Sequence, residues 1–164
     1  MAQYQNRFAV KEALVARLDA VTFTRPVNGQ NGWILQNNPR RLKLFNAIDP
    51  SVQPCYFLVQ HREQYINKGV GTLAQIYLDM GVWCYASTAD ESVMGDEYLD
   101  SMIEGIENVL EPDNPQRNEL TFGGLCSWVR IMREDNMFIR DPGDIDGQAL
   151  LVLPIRILLT GATR

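Results

Sequence analysis

The residue types that most often carry out catalysis are scarce in this sequence. Its one histidine, His61, follows a run of strand-forming residues and begins the polar segment His-Arg-Glu-Gln. A Ser-His-Asp or Cys-His arrangement would have to use this imidazole. His61 is therefore either a solvated or hydrogen-bonded side chain or the one histidine available as a catalytic base.

The three cysteines, Cys55, Cys84 and Cys126, are odd in number, widely spaced and without a CxxC pattern. This usage is typical of a reducing, cytosolic-type setting, in which cysteines act as small apolar side chains. One histidine and three scattered cysteines also do not form the clustered ligand set of a zinc site. We therefore predict reduced, buried thiols.

The segment Asp141–Gly147 combines three aspartates with proline and glycine. Its Asp144-x-Asp146-Gly portion is similar to part of a calcium loop, because hard cations bind several carboxylate oxygens. The twelve-residue spacing and the closing glutamate of such a loop are missing. The segment lies between two predicted strands, where Pro, Gly and Asp commonly form turns. It is either a structural turn or a cation site.

The glycine pairs do not form a phosphate-binding motif. Gly69-Val-Gly71 lacks the third glycine and the following helix of a dinucleotide fingerprint, and Gly123-Gly124 precedes a strand. Together with the isolated histidine, this pattern predicts no catalytic residue, no metal and no cofactor. We therefore expect a protein that is not an enzyme.

The composition is that of an ordinary globular protein. The chain has 164 residues, of which 46% are apolar and 21% charged, so we expect one domain spanning residues 1–164. A net charge of −5 disfavours nucleic-acid binding, which depends on surplus Lys and Arg. No apolar stretch approaches the ~20 residues of a membrane-spanning helix, and the N-terminus lacks the layout of a signal peptide. We expect a soluble chain with no membrane association that is not exported by that route.

Two helices are predicted over Asn6–Ala20 and Asp96–Leu110, where apolar residues recur at three- and four-residue steps. The second helix ends before Pro112 and has an acidic outer face. That face is either simply solvated or a surface that meets a basic neighbour or repels DNA.

Strand patterns occupy much of the remaining sequence. Between Leu73 and Ala86 the even-numbered residues are apolar, which predicts a long strand with one buried face and a bend or bulge at Gly81. Pro154 makes the last strand an edge there or the site of a bulge. The other predicted strands are a short one at Thr22 ended by Pro26, then Cys55–Gln60, Leu125–Met132, Asn136–Ile139 and Gln148–Leu159. The predicted fold is α+β, with a largely antiparallel mixed sheet packed by two main helices and a long projecting β-hairpin.

The order of these elements resembles the tail terminator (minor tail, tail completion) proteins of long-tailed bacteriophages over nearly the whole chain. The most specific pieces are the helix Leu99-Asp-x-x-Ile103-x-x-Ile106-Glu, the turn Leu120-Thr-Phe-Gly-Gly124 and the strand Gly147-Gln-Ala-Leu-Leu-Val-Leu-Pro-Ile155. The stretch Thr24–Pro50 matches the family least.

The resemblance implies a homohexameric ring in the virion, at the head–tail junction, assembled in the host cytoplasm. Such a ring caps the tail tube, ends its polymerisation and provides the surface for head joining. Its implied partners are other copies of the chain, the tail tube protein and a head-completion or connector protein, while DNA passes through without specific binding.

We expect the contact between subunits to use the turn-rich segment Trp33–Phe45 and the hairpin around Tyr65–Tyr85, because interfaces favour aromatic and arginine anchors. The candidate interface residues are Trp33, Arg40, Arg41, Phe45, Tyr65, Tyr77, Trp83 and Tyr85. Trp83 is as well suited to a core as to an interface.

Two other function classes stay open. One is a different phage structural subunit, from the tail tube or from head completion, which would polymerise openly or occupy another position. The other is a small enzyme or ligand-binding domain, which would require a pocket with converging polar groups around His61, Glu63 and Asp79.

Overall fold

The computed structural model describes residues 7–23, 34–39, 47–66, 75–87, 95–143 and 148–160. Within these ranges, two α-helices, α1 (Arg7–Asp19) and α2 (Gly95–Val109), accompany one sheet. The strands are β1 (Gln36–Asn37), β2 (Cys55–Ile66), β3 (Gln75–Ser87), β4 (Trp128–Ile131), β5 (Ile139–Asp141) and β6 (Gln148–Thr160). Their order is β1-β2-β3-β6-β4, with β5 also paired to β6, and only the β1–β2 pair is parallel. The predicted α+β fold with a largely antiparallel mixed sheet is confirmed.

The inner face of the sheet forms the main core with both helices. In β3 the even-numbered residues Ile76 to Ala86 are buried, and in β6 the odd-numbered residues Ala149 to Leu159 are buried. The helices add a stripe to the same cluster: Val10, Leu14, Leu18, Leu99, Met102 and Ile106. The alternating apolar residues of β3 and β6 and the apolar stripes of α1 and α2 thus face one common interior, as the sequence predicts.

The long strand β3 is paired with a neighbouring strand on each side. β2 pairs with β3 from Cys55↔Tyr85 to Ile66↔Gln75, and β6 pairs with every β3 residue from Gln75↔Thr160 to Ser87↔Gln148. The predicted projecting hairpin is therefore not confirmed, since the far part of β3 belongs to a three-stranded sheet. The connection between β2 and β3, residues 67–74, lies outside the described residues.

The irregularity predicted at Gly81 occurs instead on the neighbouring strand. The β2–β3 register shifts between Gln60 and Arg62, so His61 is an extra residue opposite the β3 ladder. Its imidazole lies above Gly81, where a Cβ would overlap the ring. A side chain at Gly81 would have to displace the imidazole, so the glycine accommodates the close approach of His61 rather than a bend of its own strand.

Pro154 lies in an internal strand but at a break in its ladder. On one side it pairs with Gly81. On the other side, β4 ends at Ile131↔Ile155 and β5 pairs with β6 only from Ile139↔Val152. The backbone N–H of Met132 donates to the Pro154 carbonyl at 2.8 Å. Neither β4 nor β5 requires a donor from Pro154, so the proline occupies a local edge.

Several predicted strands are shorter than expected because turns replace their ends. β4 begins at Trp128 because Thr121–Cys126 forms a turn, and the strand expected at Asn136–Ile139 appears as Ile139–Asp141. The predicted strand at Thr22 is reduced to a single bridge with Ile34 within the described ranges.

A carboxylate organises the turn before β4. Asp113 accepts hydrogen bonds from the Thr121 N–H (2.8 Å), the Thr121 hydroxyl (2.9 Å) and the Gly123 N–H (3.0 Å). The backbone φ is positive at three consecutive residues, Phe122, Gly123 and Gly124. Glycine adopts this left-handed conformation at little cost, which explains the Gly-Gly pair here.

Candidate interaction surface

The structure distributes the sequence-predicted interface residues over different environments. Trp33, Arg40, Arg41 and Phe45 lie outside the described residues. Tyr65 is 61% exposed near the end of β2, and its hydroxyl accepts a hydrogen bond from Arg7 at 3.4 Å. Tyr77, Trp83 and Tyr85 all belong to the outer face of β3, opposite the helices.

Tyr85 and Trp83 contribute to a small second cluster on this outer face. Tyr85 is buried and packs edge-on against Phe57, with ring centroids 5.9 Å apart. Cys55 and Ile48 complete the buried part, and Trp83 packs against it half-buried. Tyr85 therefore belongs to a core within the chain. Trp83 packs against this core but stays partly exposed, which is compatible with either a core or an interface position.

Beyond this cluster a line of charged residues crosses four strands of the outer face. The register places Arg62 of β2 beside Asp79 of β3, Asp79 beside Arg156 of β6, and Arg156 beside Arg130 of β4. Arg156 donates two hydrogen bonds to the Asp79 carboxylate, from Nε to Oδ1 at 2.6 Å and from Nη2 to Oδ2 at 3.1 Å. Arg62 adds longer contacts to Oδ2 at 3.2 and 3.3 Å.

Two aromatic residues lie on the same face, each two residues away from this charged line along β3 or β4. Tyr77 and Trp128 flank Leu158 in the register, and their ring centroids are 5.9 Å apart. The Arg130 guanidinium lies 4.7 Å from the Trp128 ring centroid, and the Arg156 guanidinium lies 5.1 Å from that of Tyr77. These cation–π contacts hold the guanidinium groups against the aromatic rings. We call the set Arg62, Tyr77, Asp79, Trp128, Arg130 and Arg156 the arginine–aromatic face.

The electrostatics of this face are asymmetric. Burial alone would raise the Asp79 pKa, but the hydrogen bonds and charges of Arg156 and Arg62 outweigh it and leave the pKa below its ordinary value. The hydrogen bond to Asp79 likewise raises the pKa of Arg156. Asp79 therefore stays ionised at neutral pH, yet it neutralises only one of three arginines, so the face keeps a positive surplus.

His61 borders a cavity of about 250 Å³ next to the arginine–aromatic face. The cavity is lined by His61, Arg62, Asp79, Met80, Met132, Asp135, Met137, Pro154 and Ile155. This set includes no Ser, Thr, Cys or Lys that could act as a nucleophile. The His61 ring lies 6.5 Å, centroid to centroid, from Trp83, whose indole N–H is buried without a hydrogen-bond partner in the described structure.

The pocket proposed around His61, Glu63 and Asp79 does not assemble as a unit. His61 and Asp79 line one cavity. Glu63 pairs in register with the buried Leu78, on the helix side of the sheet, and accepts two hydrogen bonds from Arg7 at 2.5 and 3.1 Å. The hydrogen bond from Arg7 lowers the Glu63 pKa. Glu63 thus ties α1 to β2 and is directed away from the histidine.

The three cysteines are buried free thiols, as predicted. Burial raises the pKa of Cys55 to about 11 and that of Cys126 to about 12, and it raises the pKa of Cys84 as well. Such thiols are mostly protonated at neutral pH and are poor nucleophiles or metal ligands. In the parts of the chain that the structure describes, no group of three or more His, Cys, Asp or Glu residues could hold a metal ion.

The acidic segment Asp141–Gly147 is described only in its first half. The Asp141 carboxylate accepts a hydrogen bond from the Gly143 N–H at 3.0 Å, and Gly143 has a positive φ. Both features are typical of a turn. Residues 144–147, which carry the pattern similar to a calcium loop, lie outside the described residues.

Of the arginine–aromatic face, only Tyr77 is among the interface residues predicted from the sequence, and that prediction stays untested. Arg156 was visible as the charge interrupting an apolar strand, and its place opposite Asp79 in the register shows why it is there. Arg62, Arg130 and Trp128 carry no local signal, because their proximity depends on pairing between distant strands.

Comparison with known proteins adds no relative. No family model matches this chain, and no curated protein matches it significantly. No helix of the described residues is long and apolar enough to cross a membrane.

Proposed function

We propose that this protein is a structural subunit of a long-tailed bacteriophage, forming a ring that caps the tail tube. In this role it ends tube polymerisation and provides the surface to which the head joins. Its partners are other copies of itself, the tail tube protein and a connector protein, while DNA crosses the ring without specific binding. The protein resides in the virion at the head–tail junction after assembly in the host cytoplasm.

The arginine–aromatic face is the observation that carries this proposal. Arg130 is exposed, the Arg62 side chain is 61% exposed, and Tyr77 and Trp128 are half-buried on the outer sheet face. Tyr, Trp and Arg are the residue types that dominate the energetics of protein–protein contacts. A sheet face with this composition supports association with another protein.

The surroundings of His61 support a structural function over an enzymatic one. The imidazole packs above Gly81 and beside Trp83, and the described residues that line its cavity include no Ser, Thr, Cys or Lys for it to activate. The two carboxylates of that cavity are Asp79, held by two arginines, and Asp135. These groups serve the packing and charge balance of the sheet.

Negative-stain electron microscopy of the purified full-length chain tests the proposal. We expect closed rings of uniform diameter, because a capping subunit must stop after a fixed number of copies. Open filaments would favour the alternative of a tail-tube subunit. Dispersed single subunits at every concentration, with and without isolated phage tail tubes, would contradict the proposal.

A further inference from the structure

We infer that the arginine–aromatic face of one copy binds the acidic outer face of α2 in the next copy, head to tail. This inference rests on the proposed function and specifies which two surfaces form the contact between ring subunits. Its occupant is a second copy of this chain, and the argument uses the charge and the placement of the two surfaces.

The acidic side of α2 forms a continuous stripe. Acidic residues follow one another at steps of three and four, which places the first four on one face of the helix and the fifth two residues beyond its end: Glu97, Asp100, Glu104, Glu107 and Glu111. We call this set the α2 stripe. Glu97, Glu104 and Glu111 are exposed, and Asp100 and Glu107 are half-buried.

In the described part of the chain, two arginines bind carboxylates of the α2 stripe. Arg140 binds Asp100 at 2.8 Å and the neighbouring Asp96 at 3.0 Å, while Arg133 pairs with Glu107. Among the described residues, these two positive charges stand against five carboxylates, so this surface stays acidic: Asp96, Glu97, Asp100, Glu107 and Glu111. This surface can accept further cations.

The arginine–aromatic face has the opposite sign. Its three arginines and one aspartate sum to +2, while the whole chain carries −5, so the rest of the molecule carries −7. Asp135 borders the face and reduces this surplus without reversing it. Contact between this face and an acidic surface of the next copy brings unlike charges together, which favours it over contacts between two acidic surfaces.

The two surfaces lie on opposite sides of the sheet. The apolar side of α2 packs into the main core against the inner face, through Leu99, Met102 and Ile106, while the arginines occupy the outer face. A contact between different surfaces of two copies is heterologous, and such contacts generate rings when the rotation closes. A two-fold dimer formed through the arginine–aromatic face would instead bring two positive faces together.

The dimensions of the two surfaces are compatible. Four strands at ~4.8 Å spacing make the line from Arg62 to Arg130 roughly 14 Å wide. At ~1.5 Å per residue, the fifteen-residue helix is roughly 22 Å long, so the α2 stripe can span the whole line of arginines.

Paired charge reversals test this contact directly. The face variant combines Arg62→Glu with Arg130→Glu and keeps the Arg156–Asp79 pair. The stripe variant combines Glu97→Lys with Glu111→Lys and keeps the ion pairs of Arg140 and Arg133. We expect each variant alone to need at least tenfold more protein for half-assembly than wild type, because like charges then meet at every contact.

An equimolar mixture of the two variants is the decisive sample. In a head-to-tail ring the copies can alternate, so each reversed face meets a reversed stripe and each wild-type face meets a wild-type stripe. We expect assembly of the mixture to return to the wild-type concentration range, measured by analytical ultracentrifugation. A matched control, Arg117→Glu, makes the same charge change as Arg130→Glu at another exposed position and should assemble like wild type.

The outcomes separate the inference from the proposed function. Two results would refute the inferred contact but leave the proposed ring intact. In one, wild type forms rings but the mixture does not assemble in the wild-type concentration range. In the other, each variant alone assembles like wild type. If wild type never assembles, both fail. If the face variant assembles normally but loses binding to an oligothymidylate that wild type binds, the face serves nucleic acid and the inference is overturned. Circular dichroism verifies folding, and Arg62→Gln with Arg130→Gln replaces a face variant that does not fold. Its expected loss of assembly is smaller, because glutamine removes the attraction without adding repulsion.

Discussion

Replacing Asp79 by Asn removes the negative charge at the centre of the arginine–aromatic face while keeping the size of the side chain. The wild-type carboxylate accepts two hydrogen bonds from Arg156 and two longer ones from Arg62. The side chains of Asp79 and Arg156 are only 18% and 21% exposed. The substitution therefore leaves a largely buried guanidinium without its counter-ion and beside Arg130.

The structure sets the size of the expected effect. Exposed ion pairs contribute about 0–1 kcal/mol, whereas breaking a fully buried pair costs about 3–5 kcal/mol. The Asp79–Arg156 pair lies between these limits, so we expect Asp79→Asn to lower the free energy of unfolding by about 2 kcal/mol. The Arg62 contact, with a side chain 61% exposed, contributes no more than ~0.5 kcal/mol of this. For a chain of this size the melting temperature should fall by roughly 4–8 °C.

The effect should depend on pH in a defined direction. The folded-state pKa of Asp79 is lowered, so its stabilisation is complete above the unfolded-state pKa of ~3.9 and is lost as pH falls through the folded-state pKa. Asn does not titrate. The difference between wild type and Asp79→Asn should therefore be largest at neutral pH and vanish in acid.

Urea unfolding at a series of pH values from 7 down to about 3 measures both expectations. The matched control is Asp96→Asn, which removes a charge from an exposed ion pair and should cost less than ~0.5 kcal/mol. A cost of Asp79→Asn no greater than that of the control would refute the reasoning, as would a cost that stays constant with pH.

Three further predictions concern the turn, the core and the thiols. Asp113→Asn should lower the free energy of unfolding by about 1 kcal/mol at pH 7, because an amide offers one acceptor oxygen where the carboxylate uses two; equal urea midpoints would contradict this. Leu78→Ala should cost about 3 kcal/mol in the same assay, since Leu78 is fully buried and the cavity cannot be refilled; a cost under ~1 kcal/mol would contradict its place in the core. The three cysteines should react with a disulfide reagent at pH 8 much more slowly in the folded protein than in urea, and a thiol that reacts equally fast in both states would contradict their burial.

The elements that follow from local patterns were predicted well. The period-two alternation of β3 and β6 and the helical spacing in α1 and α2 reflect one-sided burial, which is recorded in the sequence of each segment itself. The ends were less predictable: β4 was expected from Leu125 but begins at Trp128, because the hydrogen bonds around Asp113 and Thr121 impose a turn first.

The candidate surface depended on information that no single segment contains. Arg62, Asp79, Arg156 and Arg130 are distant in sequence, and only the register of four strands brings them into one line. The register in turn depends on the extra residue His61, which changes the face to which the following β2 residues belong. The bend or bulge predicted at Gly81 would lie on β3, whereas the structure has the irregularity at His61 on β2.

The mass of the native protein tests the central claim most directly, namely that this chain is made to associate with copies of itself. Native mass spectrometry or sedimentation over a hundredfold range of concentration would measure it. We predict a closed assembly, and a hexamer of the 18.6 kDa chain would have a mass of about 112 kDa. A single 18.6 kDa species over the whole range, in the presence and absence of phage tail tubes, would contradict the claim.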